Sequence, residues 1–283
     1  MKVELYGNNT SKFLDDTLDI LIENEAQNSL LISNAQRGKE KDRDTSSWFC
    51  ATVKGGGNVI VSAMCTPPYN IAVYETGNKH DGEAAELLAR ELFNAGYILP
   101  GVTAEKITAE LFSESYARLV QKDTRVHKTF NLMQLDKLSE INFTPGYIRE
   151  ITEDDLYYTP YWEKGFAEDC NLGNGDIAAI AEIHKKWVGK NELYVWIDKV
   201  PVSMAGNNRS MINGSTVGRV YTPPHYRNKG YCTSCVWYLS KIILEKGFKF
   251  ASLFADADYP VSNKVYQKIG YRNVCLMQEI KFE

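Results

Sequence analysis

The sequence lacks the features that mark a membrane-spanning or secreted protein. No apolar run in its 283 residues approaches the roughly 18 residues that a membrane span needs. The first residues include Glu4 and the pair Asn8-Asn9, where a secretory signal would need an apolar core. The six cysteines are scattered without the spacing of a disulfide framework, as is usual for reduced thiols. We therefore expect a cytoplasmic protein with no membrane partner.

Basic charge and clustered metal ligands are also scarce. The 32 Lys and Arg residues are outnumbered by 36 Asp and Glu, which gives a net charge of −4 and no support for a nucleic-acid partner. The four histidines lie far apart in the sequence, so no zinc site and no other metal site is expected. With 44% hydrophobic residues, the chain is long and apolar enough for two cores.

What the sequence does contain is an alternation of helical and strand-like segments, which predicts a mixed α/β fold. The first half predicts a helix over 13–31, strands over 48–53 and 59–64 joined by a glycine turn, a strand over 71–74, a helix capped by Asp81 and ending near Phe93, a helix capped by Thr103 and ending near Gln121, and a strand over 129–135. Such a glycine turn between two strand-like runs is typical of a β-hairpin.

A polar segment over 136–146 that ends in Pro-Gly predicts the boundary between two domains, 1–138 and 146–283. The second domain predicts a strand over 147–151, helices over 153–169 and 176–187, strands over 192–197 and 202–205, a polar turn over 206–214, a strand over 217–221, a helix over 233–246, a strand over 250–254, a helix over 261–269 and a strand over 274–280. The similar order of elements suggests two related domains.

One segment of the second domain predicts an anion site. Residues 227–232 read Arg-Asn-Lys-Gly-Tyr-Cys and lie between a strand that ends at Tyr221 and a predicted helix. Backbone N–H groups at the start of a helix have no partner within the helix and favour anions. Thr233 and Ser234 add hydroxyl groups in the first turn. We therefore predict that this loop binds phosphate.

A second segment, 262–271, predicts a short helix with two polar residues on one face. Asn263 and Tyr266 are three residues apart and share that face. Val261, Val265 and Ile269 form an apolar stripe that we expect to pack against the core. The interpretation without a function is that Tyr266 is a partly buried aromatic and Asn263 an ordinary polar residue near a helix start.

Together, these two segments resemble the GNAT superfamily of acetyltransferases. The block 220–231, Val-Tyr-Thr-Pro-Pro-His-Tyr-Arg-Asn-Lys-Gly-Tyr, resembles the R-x-x-G-x-G/A loop that binds the acetyl-CoA pyrophosphate, and 262–271 resembles the helix with an Asn contact to CoA and a Tyr near its sulfur. The likeness covers about 147–283 and departs from the pattern at Cys232, where Gly or Ala is usual. It implies two tandem GNAT-like domains, the first degenerate because it has no copy of the loop.

The resemblance further implies acetyl transfer from acetyl-CoA to a primary amine of a small molecule or peptide, by direct attack in a ternary complex. Tyr266 is then the expected catalytic residue, a proton donor to the departing thiolate. The expected cofactor-binding residues are Val220, Tyr221, Thr222, Arg227, Asn228, Lys229, Gly230, Tyr231, Cys232, Thr233 and Asn263. A backbone N–H near Val220 or Tyr221 would polarise the thioester carbonyl.

The sequence points to no single general base. No Glu or Asp lies over 202–221, beside the expected thioester, so the candidates are Glu163, Glu168, Glu192 and Asp198. The aromatic run 157–162 lies in the region that covers the acceptor site in this superfamily, and the nearby acids suit a cationic amine. The identity of the amine and the oligomeric state stay open.

Two other functions are compatible with parts of the sequence. Cys232-Thr233-Ser234-Cys235 is a C-x-x-C motif, and a helix N-terminus lowers the pKa of a cysteine, as in thiol–disulfide oxidoreductases. That alternative leaves Arg227, Gly230 and Asn263 unexplained. A CoA-binding sensor or interaction domain without catalysis is the other alternative.

Overall fold

A computed structural model describes residues 1–77, 82–173 and 175–283. The chain divides into two compact units. Unit 1 comprises Met1–Leu132, Ala255–Tyr259 and Val274–Glu283, and unit 2 comprises Met133–Phe254 and Pro260–Asn273. Within the described ranges, every helix is too short or too polar to cross a bilayer. The domain boundary predicted within 136–146 stays a prediction.

The elements of the first half, in chain order, are β1 (Lys2–Gly7), α1 (Thr10–Leu21), a 3₁₀ turn (Ile22–Asn24), α2 (Ser29–Arg37), β2 (Phe49–Gly55), β3 (Asn58–Cys65), β4 (Ile71–Glu75), α3 (Glu83–Asn94), β5 (Gly101–Glu105), α4 (Lys106–Val120) and β6 (Thr124–Leu135). Those of the second half are β7 (Tyr147–Glu150), a 3₁₀ turn (Glu153–Tyr157), α5 (Thr159–Asp169), α6 (Ile177–Trp187), β8 (Leu193–Asp198), β9 (Val200–Ser210), β10 (Gly214–Tyr221), a 3₁₀ turn (Pro224–Tyr226), α7 (Tyr231–Glu245), β11 (Phe250–Asp256), α8 (Pro260–Ile269) and β12 (Arg272–Phe282).

Unit 1 is built on a sheet with the strand order β1-β2-β3-β4-β5-β12-β6. The predicted hairpin is confirmed, since β2 and β3 pair in antiparallel fashion, whereas β4 and β5 pair in parallel. Two side chains of α3, Leu88 and Leu92, and two of α4, Phe112 and Tyr116, are buried in its core. An apolar face on each helix thus covers the sheet, as their sequences require.

The helices of unit 1 differ from the prediction in where they begin and which residues cap them. The single helix predicted over 13–31 is wrong, because the Asn28 side chain donates a hydrogen bond to the Leu21 carbonyl and two helices form around that contact. Thr103 is not a helix cap but lies inside β5. The helix α4 is capped by Glu105, whose side chain accepts hydrogen bonds from the backbone N–H groups of Ile107 and Thr108. The predicted cap Asp81 lies outside the described residues, although α3 itself is present.

Unit 2 contains a sheet with the order β11-β10-β9-β8-β7, in which only the β10–β11 pair, among the described strands of this unit, is parallel. Neighbouring residues of β8 point to opposite faces. Val195 packs in the core cluster with Trp162 of α5, and Trp196 lies 5.3 Å from Tyr238 of α7, between ring centroids. The predicted polar turn over 206–214 is wrong in part, because β9 continues to Ser210.

The two units repeat one motif, a crossover of strand, helix and parallel strand. It is β4–α3–β5 in unit 1 and β10–α7–β11 in unit 2. Each crossover helix starts directly after a glycine in the left-handed region, Gly82 at φ +82° and Gly230 at φ +87°. The mixed α/β fold with two related halves is therefore confirmed.

Candidate active site

The site in unit 2 is organised by two parallel strands that separate. β10 and β11 pair only through Gly214–Phe250, Ser215–Ala251 and Thr216–Ser252, although β10 continues to Tyr221 and β11 to Asp256. The last five residues of β10 therefore leave one backbone edge unpaired toward β11. Such an edge offers N–H and C=O groups to an extended ligand.

The opposite edge of β10 carries an irregularity at the same level. The pairing with β9 shifts between Thr216 and Val217 and again between Gly218 and Tyr221. Arg219, inside the second shift, adopts φ +49°, which is uncommon for a residue with a long side chain. The second irregularity lies beside Val220 and Tyr221, so the N–H groups predicted to polarise a carbonyl lie next to it.

The loop after β10 ends in an open helix start. Gly230 is the N-cap of α7, and no side chain caps the helix, whereas α6 is capped by Asp176 and α4 by Glu105. The first-turn N–H groups of α7 are thus left for another acceptor. Gly230 at φ +87° and Asn228 at φ +61° both use the left-handed region to make this turn. The strand, turn and helix predicted around residues 227–232 are confirmed.

The side chains of the loop mostly hold it in place. Arg227 donates from Nε to the Thr222 carbonyl at 2.9 Å and from Nη2 to Asp169 at 2.5 Å, and its Cζ lies 5.6 Å from the centroid of the Tyr221 ring. Tyr231 donates its hydroxyl to Asp198 at 2.6 Å. Arg227 and Tyr231 therefore tie the loop to the end of α5 and the end of β8.

Three further predicted residues complete this loop. Thr222 Oγ1 lies 2.8 Å from Ser203 Oγ. The Nζ atom of Lys229 lies 5.7 Å from the centroid of the Tyr226 ring. Thr233 is buried. Lys229 thus carries a positive charge on the surface of the loop, while Thr233 is fixed in the first turn of α7.

On α8 the two predicted polar residues are buried, and the predicted apolar stripe is wrong in part, because Ile269 is buried but Val265 is half-buried and Val261 exposed. Asn263 and Tyr266 are 8% and 9% exposed, whereas Val261 is 56% exposed. The inward face of α8 consists of Asn263, Tyr266 and Ile269. A polar residue and a tyrosine thus take the place that the pattern of apolar residues predicted for valines.

Tyr266 lies near the loop. Burial raises the pKa of Tyr266 well above 10, and Cys232, Tyr271 and Cys170 act in the same direction. α7 and α8 contact each other, which brings the inward face of α8 to the helix that follows the loop. At neutral pH the Tyr266 hydroxyl keeps its proton.

The two cysteines of the C-x-x-C motif are free thiols. Burial raises the pKa of Cys232 to about 12. Burial and the neighbouring Cys232 also raise the pKa of the fully buried Cys235. A redox-active pair needs the opposite, a lowered pKa and an accessible thiolate. These thiols therefore do not have the properties of an oxidoreductase.

Three candidate bases, Glu163, Glu168 and Asp198, contact other side chains, and Glu192 also has an interaction partner. Glu168 pairs with Lys164 at 3.9 Å, and Asp198 accepts the hydroxyl of Tyr231. Both carboxylate oxygens of Glu163 contact other side chains, one His184 and the other Arg219. Burial alone would raise the pKa of Glu163, but the hydrogen bond from His184 and the charge of Arg219 outweigh it and lower that pKa. The lowered pKa makes the Glu163 carboxylate a weaker base, and Glu163 as general base stays a prediction.

The sequence did not single out Arg219 and His184, which form a network with Glu163. Arg219 Nε donates to Glu163 Oε1 at 3.0 Å, and His184 Nε2 lies 2.5 Å from Glu163 Oε2. His184 Nδ1 lies 3.0 Å from Thr159 Oγ1. The residues come from α5, α6 and β10, and no spacing along the chain would have linked them. Arg219 is the single charged residue of β10, which is the signal that the sequence offers.

One protein-family model matches the part of the chain that contains this site. The model of the acetyltransferase (GNAT) family matches residues 135–271, which include both α7 and α8 with the loop between β10 and α7. No curated protein sequence matches the chain. The matched residues are the ones that form the site described above.

Three solved structures resemble nearly the whole chain. A Drosophila protein has a TM-score of 0.67 at 12% identity, covering 99% of this chain and 98% of that one. A GCN5-related N-acetyltransferase from Sphaerobacter thermophilus has a TM-score of 0.61 at 11% identity, covering 99% and 95%. A tandem GNAT protein from the clavulanic acid biosynthesis pathway has a TM-score of 0.56 at 11% identity, covering 100% and 98%. At these identities the likeness concerns the fold, and it extends to both halves.

Proposed function

Residues 135–271 form a domain of the GNAT acetyltransferase family, and from that premise we propose that the protein transfers an acetyl group from acetyl-CoA to a primary amine of a small molecule or peptide. The transfer is a direct attack in a ternary complex. The observation that carries the proposal is the separation of β10 from β11 after Thr216 and Ser252, next to a helix start without a side-chain cap.

The residues around this opening fit the cofactor. The uncapped first turn of α7 offers the backbone N–H groups of residues 229–233 to a pyrophosphate, with the helix dipole favouring the negative charge. Lys229 adds a positive charge to the same loop, and Arg227, which pairs with Asp169, holds the loop in place. Gly230 is required here, because its φ of +87° suits glycine and a Cβ would lie 3.1 Å from Thr144 Cγ2. When bound, acetyl-CoA would supply an activated acetyl thioester.

The unpaired edge of β10 orients the rest of the cofactor. Its N–H and C=O groups would pair with the pantetheine arm as an added strand does. The N–H of Val220 or Tyr221 would donate to the thioester carbonyl, and such a donor stabilises the negative charge that develops on the oxygen. Thr222, which is fixed against Ser203, ends this edge and starts the loop.

Tyr266 is the proposed proton donor. Because burial raises its pKa well above 10, its phenol oxygen holds a proton throughout the neutral range. That O–H can donate to a sulfur that departs as a thiolate, whose conjugate thiol has an ordinary pKa of about 8.5. Asn263, on the same buried face of α8, is the proposed side-chain contact to the cofactor.

Thermal unfolding with acetyl-CoA tests the cofactor site. Micromolar acetyl-CoA should raise the Tm of the wild type, because a ligand that binds only the native state stabilises it. Gly230→Asp should abolish that rise by placing a carboxylate against the pyrophosphate.

Gly247→Asp is the matched control, since Gly247 follows the other end of the same helix at φ +95° with open space at its Cβ position. It should unfold at a lower temperature, as Gly230→Asp does, yet keep the rise with acetyl-CoA. A wild type without any rise would contradict the proposal. A rise without acetyl transfer to any amine would leave a CoA-binding domain and not an acetyltransferase.

A further inference from the structure

We propose that Arg219 binds a carboxylate on the acceptor, so that the substrates are amines that also carry a carboxylate, such as amino acids or the C-terminal residue of a short peptide. The inference rests on the proposed acetyl transfer and specifies its substrate class. It is carried by the way in which the guanidinium is held and by the one nitrogen that remains to donate.

The Arg219 guanidinium is fixed on three sides. Its Nε donates to Glu163 Oε1 at 3.0 Å, its Nη1 donates to Asn208 Oδ1, and its Cζ lies 4.5 Å from the centroid of the Trp187 ring. Nη2 has no acceptor among the described residues, and the side chain is 28% exposed. The guanidinium is thus held rigidly, and its Nη2 remains to donate a charge-assisted hydrogen bond to a carboxylate.

The side chains that hold Arg219 in place are buried and polar. Glu163, whose side chain is 19% exposed, is shared between Arg219 and the fully buried His184. His184 in turn contacts Thr159, which is also fully buried. Buried polar networks of this kind are costly unless every member is satisfied, so the network fixes the rotamer of Arg219.

The backbone at Arg219 places this group beside the reacting atoms. Arg219 lies in the strand irregularity that ends at Tyr221, directly before the N–H groups proposed to hold the thioester carbonyl. Its φ of +49° is a conformation that costs energy and that clusters at functional sites. An acceptor whose amine faces the thioester would therefore have its other polar group within reach of Arg219.

Three acids near this place are already engaged by side chains of the protein. Asp155 is buried and paired with Arg149 at 2.5 Å, Asp169 is paired with Arg227, and Glu163 is engaged twice. With these three carboxylates engaged, Arg219 favours an acceptor that carries a negative charge of its own.

The first experiment needs only the wild type. Acetyl transfer is measured with pairs of acceptors that share one amine and differ at one group: L-amino acids against their amides, and dipeptides with free against amidated C-termini. Each free carboxylate should raise kcat/KM by about 10- to 150-fold over the matched amide, the range expected for hydrogen bonds to a charged group. Preference for amino acids or for dipeptides identifies the source of the carboxylate.

The second experiment changes the arginine. Arg219→Gln should bring the ratio of kcat/KM between acid and amide to within a few-fold of one, mainly by raising KM for the acids. Arg272→Gln is the matched control, since Arg272 is a surface residue of unit 2 with 77% exposure, and it should keep the wild-type ratio. If Arg219→Gln fails to fold, Arg219→Lys keeps the charge without the fork and should lower the ratio at least several-fold.

The outcomes separate this inference from the proposed function. If acetyl-CoA neither binds nor is consumed, the proposed acetyl transfer itself fails. If acetyl-CoA is consumed with amides and acids alike, or if Arg219→Gln keeps the wild-type ratio, the carboxylate inference is overturned. If transfer is too slow to measure, calorimetry gives the affinity of the CoA-saturated protein for the same acids and amides. Equal affinity for both sets, or no binding of either, would also overturn the carboxylate inference.

Discussion

Gly218 is the position where one methyl group should disturb the network around Arg219. A Cβ at Gly218 would overlap the Asn208 carboxamide, whose Cγ would lie 2.8 Å away. Gly218 has no positive φ, so alanine is acceptable to the backbone and the cost is steric. Displacing Asn208 removes its hydrogen bond to Arg219. We expect Gly218→Ala to lower the free energy of unfolding by about 2–4 kcal/mol, from a lost hydrogen bond to a charged group and local overpacking.

A double-mutant cycle in urea tests this reasoning. With Asn208→Ala as the background, the overlap is gone, and Gly218→Ala should cost nothing or stabilise by about 0.4–1 kcal/mol through the unfolded state. Gly206→Ala is the control on the neighbouring strand, since its Cβ would lie 3.3 Å from Asn208 Oδ1 and its cost should be smaller. An equal cost of Gly218→Ala in both backgrounds would refute the role of Asn208.

Other substitutions test the loop, the proton donor and a buried ion pair. Gly230→Ala should cost about 1–2 kcal/mol in urea denaturation, because φ is +87° there; an unchanged midpoint would contradict the assigned turn. Tyr266→Phe should lower kcat by about 10²-fold or more with an accepted amine, and turnover at the wild-type rate would exclude it as the acid. Asp155 is desolvated, but hydrogen bonds led by that from Arg149 lower its pKa to about 2 from 3.8. Its ionised form therefore stabilises the fold above pH 4, and that stabilisation is lost as the pH falls through about 2. The stability advantage of the wild type over Asp155→Asn should shrink over that range in acid denaturation, and a difference independent of pH would contradict it.

The sequence predicts most of the fold because its helices and strands have strong local signals. The strand, glycine turn and helix around Gly230, and the β2–β3 hairpin, follow from residue patterns within a few positions. Errors occur where tertiary contacts decide. β5 is short and runs directly into α4, so Thr103 resembles a helix cap. α8 turns Tyr266 inward and leaves Val261 exposed, because burial there follows the site and not hydrophobicity.

The sequence predicts the parts of the site that are contiguous in the chain and misses those that depend on contacts between distant elements. The loop and the α8 pair are contiguous motifs, which a sequence can display. Arg219 depends on a strand irregularity and on partners from other elements, including Glu163, 56 residues away. His184 is one of four histidines far apart in the sequence, and only packing brings it to Glu163. Contacts across elements of this kind carry no local signal.

The measurement that tests the central proposal most directly is release of the CoA thiol from acetyl-CoA by the wild-type protein with a panel of amines: amino acids, polyamines, aminoglycosides and peptides. We expect thiol release that depends on both protein and amine, with a product heavier by one acetyl group, and its loss in Gly230→Asp but not in Gly247→Asp. Thiol release at the uncatalysed rate with every amine, together with no rise in Tm by acetyl-CoA, would contradict the proposed acetyl transfer.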